Sequence, residues 1–154
     1  MSDTIRELII QDIIARLGVI TVANGYNTGI GVNVQRAKKA IDEDDVPVCN
    51  VWPRPETSEK RYGQELCTMP VLIEGVMEFG SENPSVVSER ILGDLKKAMG
   101  DLAWLQSLDY IDSIAYVSGG SESYPDEEDV TVGAMAVFNI SYMTAIGDPY
   151  SRGE

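Results

Sequence analysis

Residues 130–144 read VTVGAMAVFNISYMT. The even positions are Val130, Val132, Ala134, Ala136, Phe138, Ile140 and Tyr142; the odd positions mix Thr131, Gly133, Asn139 and Ser141 with Met135, Val137 and Met143. A period of two with one wholly apolar side predicts a strand that turns its even face to a core. Extended, such a run spans roughly 50 Å, well beyond the usual ~5–6 residues, so one end is expected to project past the sheet body. Residues 67–79 repeat the pattern. Cys67, Met69, Val71, Ile73, Gly75, Met77 and Phe79 alternate there with Thr68, Glu74 and Glu78 among the intervening positions. These two runs are expected to form the backbone of one sheet.

Elsewhere the apolar period changes to that of a helix. Ile5, Leu8, Ile9, Ile13 and Leu17 share one face of residues 2–17, Thr4 and Glu7 have capping-box spacing, and Gly18 ends the run. Asn83 followed by Pro84 is a helix start, and Val87, Ile91, Leu92, Leu95, Ala98 and Met99 form the stripe that follows. Gly100 stops it, and Asp101 can cap a short turn through Trp104 and Leu105. Shorter strands are expected at residues 29–35, where Ile30, Val32 and Val34 alternate, at 46–52, where Pro47 argues for an edge or a strand start, and at 110–117. Two polar stretches, PRPETSEKRYGQ at 53–64 and GGSESYPDEED at 119–129, are expected as long loops. The order is helix, several strands, helix, two strands. It predicts an α+β domain over residues 1–154: a mainly antiparallel, mixed sheet with two main helices on one face, a projecting hairpin and an extended tail over 145–154.

Charge narrows the function classes. The chain has 12 basic and 25 acidic side chains, a net charge of −13, which is a poor footprint for tight binding to a phosphate backbone. No Lys or Arg occurs between Ala98 and Ser151, whereas Arg36, Lys38, Lys39, Arg54, Lys60 and Arg61 lie earlier. Cys49 and Cys67 sit in apolar, strand-like surroundings and are expected as buried free thiols in a reducing compartment. The start lacks an apolar stretch behind a basic flank, and no run approaches the ~18 apolar residues of a membrane span, so a soluble, unexported protein is expected.

Candidate chemistry is sparse. Histidine is absent, and so are GxxxxGK[ST], GxSxG and CxxC. Gly29-Ile30-Gly31 echoes a dinucleotide loop without the strand before it or the helix after it. The acidic runs at 42–45 and 126–129 could offer carboxylates to a divalent cation, but neither has EF-hand spacing, and solvated turns account for both. Glu74 and Glu78, on the polar side of a strand, suit a wet sheet surface or a subunit contact better than acid–base chemistry. No catalytic group, metal or cofactor is expected. The stronger signal is charge asymmetry: Arg36, Lys38, Lys39, Arg54, Lys60 and Arg61 against Asp126, Glu127, Glu128 and Asp129 suit a head-to-tail contact between copies, which forms a ring if the rotation closes.

The same segments carry a family likeness. The opening amphipathic helix, AIDEDDVPVCNVWPRPET, LCTMPVLIEGVMEF, SERILGDLKKAMGDLAWL, and YPDEED before VFNISYMT follow one another in the order and character of the tail terminator proteins of long-tailed bacteriophages of the lambda type. NGYNTGIGVNVQRAKKAI is similar to phage neck and minor tail proteins. The resemblance spans nearly the whole chain. It implies a structural virion protein that forms a hexameric ring on the head-proximal end of the tail tube. There it would halt polymerisation and face the head–tail connector, with DNA passing through unbound and the host cytoplasm as the place of assembly. The chain departs from the lambda protein in a longer turn region at 24–31 and in TAIGDPYSRGE at its end. A neck or connector protein, a metal-dependent enzyme using Asp42, Asp44 and Asp45, and a nucleic-acid-binding module are the alternatives.

Overall fold

In the computed structural model, which describes residues 2–121 and 123–153, the chain runs through helix α1 (Ile5–Leu17), strands β1 (Val34–Arg36), β2 (Val48–Pro53), β3 (Thr57–Arg61) and β4 (Gln64–Glu78), helices α2 (Pro84–Met99) and α3 (Leu102–Gln106), and strands β5 (Ser113–Gly120) and β6 (Thr131–Ala145). The sheet order is β1-β2-β4-β6-β5, and β3 continues beyond β2 along the same edge of β4. Among the described residues only β1 and β2 run parallel; every other pairing is antiparallel. This is the α+β architecture that the periodicity predicts.

The two long runs pair with each other in unbroken register, from Gln64 opposite Ala145 to Glu78 opposite Thr131. Directly opposed residues share a face, so Met69, Val71 and Ile73 lie beside Ile140, Phe138 and Ala136, and all six are buried. Both main helices cover that face. From α1 come Ile5, Ile9, Ile13 and Leu17, and from α2 come Val87, Ile91, Leu95, Ala98 and Met99, all part of the same apolar core. The helix ends are fixed locally: Thr4 Oγ1 accepts from Glu7 N at 3.1 Å, Asn83 Oδ1 from Ser85 N at 2.9 Å, and Asp101 Oδ1 from Trp104 N at 2.9 Å. The capping box at Thr4 is half formed, because the Glu7 carboxylate turns to Arg36 and Gln11 instead.

A row of small residues lets the helices approach. Cys49, Gly75 and Ala134 are adjacent across the sheet, and a Cβ on Gly75 would lie 2.6 Å from Ile91 Cγ2 and 2.9 Å from Ile30 Cδ1. Gly75 is therefore the seat of α2 and of the segment before β1. The opposite face, with Leu66, Leu72 and Val76 of β4 beside Met143, Val137 and Gly133 of β6, carries no helix among the described residues.

Three expectations are corrected. Residues 29–35 are not a strand throughout, since Ile30–Val32 is a 3-10 turn and pairing starts at Val34. Gly31 packs so tightly under α1 that a Cβ there would stand 2.4 Å from Leu17 O, and its N–H bonds Ile20 O at 2.9 Å, which takes it out of any ladder. Residues 53–64 are not one loop. Thr57–Arg61 forms β3, closed onto β4 by Tyr62-Gly63, whose φ angles of 51° and 80° are those of a tight hairpin turn. All of β3 is exposed, so no apolar alternation marked it. The end of the chain folds back rather than trailing: Ala145 N donates to Ser151 O at 2.7 Å, Ile5 N to Pro149 O at 2.9 Å, and the Arg152 guanidinium to Tyr110 O and Asp112 Oδ1 at 2.9 and 2.8 Å.

Two glycine substitutions should move stability in opposite directions. Gly75→Val, which forces a side chain into Ile91 and Ile30, is expected to cost ~1–3 kcal/mol or more. Gly93→Ala, on the exposed side of α2 with nothing within 4 Å of the added carbon, is expected to raise stability by up to about 1 kcal/mol. Urea unfolding monitored by circular dichroism measures both.

Candidate assembly surfaces

The β3–β4 hairpin belongs to the sheet up to its turn, since Gln64, next to Gly63, still pairs with Ala145 of β6 and its side chain donates to Arg152 O. Between β2 and β3 the backbone stays on β4 through Arg54 N to Pro70 O at 2.9 Å. Arg6 of α1 clamps this junction, donating to Arg54 O at 2.8 Å and to Glu56 Oε1 at 2.9 Å, and Glu56 also accepts from the Tyr142 hydroxyl of β6. Burial first, then the Glu56 carboxylate, raises the Tyr142 pKa, which keeps the phenol protonated as donor. Beyond that point Lys60 and Arg61 lead to Tyr62, which is 99% exposed at the turn. Arg61 makes a loose 3.7 Å contact with Glu59, and Lys60 has no ion-pair partner among the described residues.

The other expected cations separate from these. The Arg36 guanidinium donates to both oxygens of Glu7 at 2.7 Å, and Lys38 Nζ bonds Asp45 Oδ2 at 3.2 Å. The backbone of Lys38 is held like a strand by Asn50, which accepts from Lys38 N at 3.2 Å and donates to Lys38 O at 2.7 Å. Lys39 is exposed beside the 3-10 turn at Glu43–Asp45. The six basic positions thus form two groups: Arg36, Lys38 and Lys39 at the β1 edge, and Arg54, Lys60 and Arg61 along the arm. Arg36 and Lys38 are paired closely within the chain, Arg61 loosely with Glu59, and Lys60 stands opposite Glu65 in the ladder.

At the opposite end of β4 lies an acidic cleft of about 600 Å³. Glu78, Asp126, Glu127 and Asp129 line it, and Phe79, Pro84, Pro125 and Val130 supply its apolar surface. Its wall is a tight turn in which Asp126 N donates to Asp129 Oδ2 at 2.9 Å and Asp129 N to Asp126 O at 3.1 Å. Phe79 N, bonded to Val130 O at 3.2 Å, carries the sheet ladder to the cleft's edge. Glu128 is exposed on the same turn but faces outside the cleft lining. No basic side chain pairs with these carboxylates among the described residues. Cleft and arm tip stand at the two ends of a 15-residue strand, some ~45 Å apart.

The remaining chemistry has structural employment. Glu74 Oε1 accepts from Asn50 Nδ2 and Trp52 Nε1, each at 3.1 Å, while Glu78, four residues on, belongs to the cleft roughly 13 Å away. Burial pushes the Cys49 thiol up to about 12, with the Glu74 charge adding to the effect. Burial also raises Cys67, so neither free cysteine is an activated nucleophile. Asp45 is turned to Lys38 and to the Asp42 backbone, and no group of acidic or sulfur ligands among the described residues is arranged to hold a metal ion. A smaller cleft between α1 and α3 is lined by Asp12, whose pKa is raised by burial and then by nearby Asp109. Its one cation, Arg16, is occupied by Ala98 O at 2.8 Å.

Sequence reasoning named charged positions on both surfaces, Glu78 among them as a candidate for a wet sheet face or a subunit contact, and gave no role to Tyr62 and none to Phe79 beyond its place in a strand. A Tyr-Gly turn between polar residues lacks the Asn-Gly or Asp-Gly signature of such hairpins.

The two basic groups should respond differently to substitution. Arg36→Ala is expected to destabilise the fold by up to about 1 kcal/mol at neutral pH, the pair being part exposed. The bond from Arg36 holds the Glu7 carboxyl below its ordinary range, so this stabilisation is present above the unfolded value and fades as pH falls through the native one. The gap between Arg36→Ala and wild type should close in acid. Lys60→Ala and Arg61→Ala should stay within about 0.5 kcal/mol of wild type throughout. Denaturant unfolding across a pH series reads all three.

No family model matches the chain, and no curated protein matches it significantly.

Proposed function

We propose that this chain is a structural virion protein, a bacteriophage tail terminator. It forms a hexameric ring on the head-proximal end of the tail tube, stops tube polymerisation and presents the surface to which the head–tail connector attaches. The observation that carries the reading is the acidic cleft at the Glu78 end of β4, whose carboxylates have no basic partner among the described residues, set against the exposed β3–β4 hairpin at the Gln64 end. A subunit with complementary surfaces at opposite ends joins its copies head to tail, and such an interface closes into a ring when the rotation per subunit divides the circle.

The family likeness supports the same reading, because its segments fall on the elements that build these ends. LCTMPVLIEGVMEF lies on β4 and its exit, VWPRPET runs from β2 into the arm, YPDEED makes the cleft wall, and VFNISYMT lies on β6. The net charge of −13 suits a wall past which DNA slides, since phosphates are repelled rather than held. The ring's neighbours are the tail tube protein on one side and the connector on the other. Its place is the virion, reached by assembly in the host cytoplasm.

Electron microscopy of tails from lysates in which this reading frame carries an early stop tests the proposal. Over-long, headless tubes are the expected result. Tails of normal length that fail to join heads would move the protein to the neck, and normal infectious particles would overturn both assignments.

A further inference from the structure

Four of the five buried polar side chains among the described residues have internal partners. Thr28 and Asp94 bond each other, Asn50 bonds the Lys38 backbone and Glu74, and Ser88 Oγ donates to Gly133 O. Thr144 is the exception. It is 5% exposed, and its hydroxyl makes no hydrogen bond among the described residues. A hydroxyl held out of bulk water without a partner costs free energy, so one aimed into a cavity marks a place where a polar ligand has something to gain.

That cavity is a recess of about 180 Å³ at the Gln64 end of the sheet, on the helix side, far from the acidic cleft. Glu65 and Thr144, opposed in the β4–β6 ladder, line it with Cys67 and Tyr142, and Arg6, Glu56 and residues 147–149 close it in. Its strong donors are committed. Arg6 turns its guanidinium to Glu56 Oε1 and Arg54 O, and Tyr142 gives its hydroxyl proton to Glu56. Its acceptors are not. The Glu65 carboxylate has no side-chain partner among the described residues, since Lys60 stands opposite it on β3 without forming an ion pair. Asp148 uses Oδ1 for Tyr150 N at 3.0 Å and leaves Oδ2. With Glu56 balanced by Arg6, two carboxylates and one hydroxyl oxygen remain.

We infer that this recess binds a primary alkylammonium group, its charged head on Glu65, Asp148 and Thr144 Oγ1 and its first methylenes against Pro149 and the Tyr142 ring. An ammonium has three donors and no acceptor, which matches the three free acceptors, whereas an anion would meet only committed donors. A bare metal ion fits less well, because no group of acidic or sulfur ligands among the described residues is arranged to hold one. The volume lies below the ~300–1,000 Å³ of sites for drug-sized ligands, so the occupant is the end of a chain, either a small free amine or the lysine side chain of a partner. The inference does not rest on the head-to-tail reading.

Amide NMR of the whole chain, titrated with n-butylamine hydrochloride at constant ionic strength, tests it. Saturable shifts concentrated at Glu65, Thr144 and residues 147–149 are expected. Butanol, which lacks the charge, and tetramethylammonium, which lacks the N–H donors, should produce none. Glu65→Gln should weaken butylamine binding by about tenfold or more, and Thr144→Val by about fivefold. Because it removes a hydroxyl without a partner, Thr144→Val should also unfold at no lower urea concentration than wild type. A clear drop there would show that the hydroxyl serves the fold, and would overturn the site. Shifts spread over the acidic surface, equal shifts with tetramethylammonium, or binding unchanged in a folded Glu65→Gln chain would overturn it as well. Nα-acetyl-lysine amide separates the two sources: binding at least as tight as butylamine's identifies a partner's lysine, weaker binding a free amine, and either result upholds the recess as an ammonium site.

Discussion

The unbroken antiparallel pairing of β4 with β6 is the constraint on which the molecule depends. Over fifteen opposed positions it fixes which side chains face the helices, because a slip of one residue would turn every apolar position of a strand to the other face. Met69, Val71, Ile73, Phe138 and Ile140 are all buried only in this register. The same pairing makes a stiff bar longer than the helical layer that covers it. Val132 and Tyr142, close to the two ends of β6, are still in the core, so only the turn beyond Gln64 and the cleft beyond Glu78 leave it, and the sheet sets the distance between them.

Near that bar, packing decides the detail. Gly75 opens a seat for Ile91 and Ile30, and Asp94, buried on α2, accepts from Thr28 N and Oγ1 at 2.7 Å and from Asn27 N at 3.1 Å. The turn region before β1 is thereby fastened to α2 rather than left loose. Arg6, Glu56 and Tyr142 fasten the root of the arm to α1 and β6 in the same manner. The polar residues buried within the fold are locks on connections. Unpaired carboxylates gather at the cleft beside Glu78.

Much of this was legible from spacing. Period-two alternation located β4 and β6 with their inward faces, and Asn83-Pro84 and Asp101 marked the starts of α2 and α3. What escaped was set by contacts remote in the chain. Gly31 is drawn out of a strand by the end of α1, and β3 exists because β4 offers it an edge, with no apolar stripe of its own to announce it. Arg36 and Lys38 counted as free positive charge until Glu7 and Asp45 were found beside them. Composition records charge, but only the fold records which charges are already balanced. Tyr62 acquires meaning in the same way, as an aromatic residue that the fold places in water beside two cations.

Native mass spectrometry of the purified chain at low ionic strength, across a wide range of protein concentration, tests the central claim most directly. A molecule with complementary ends that closes on itself should accumulate one limiting species, a hexamer, and that species should dissociate as salt screens the charged contact. A population that stays monomeric or stops at a dimer, indifferent to salt, would contradict the account.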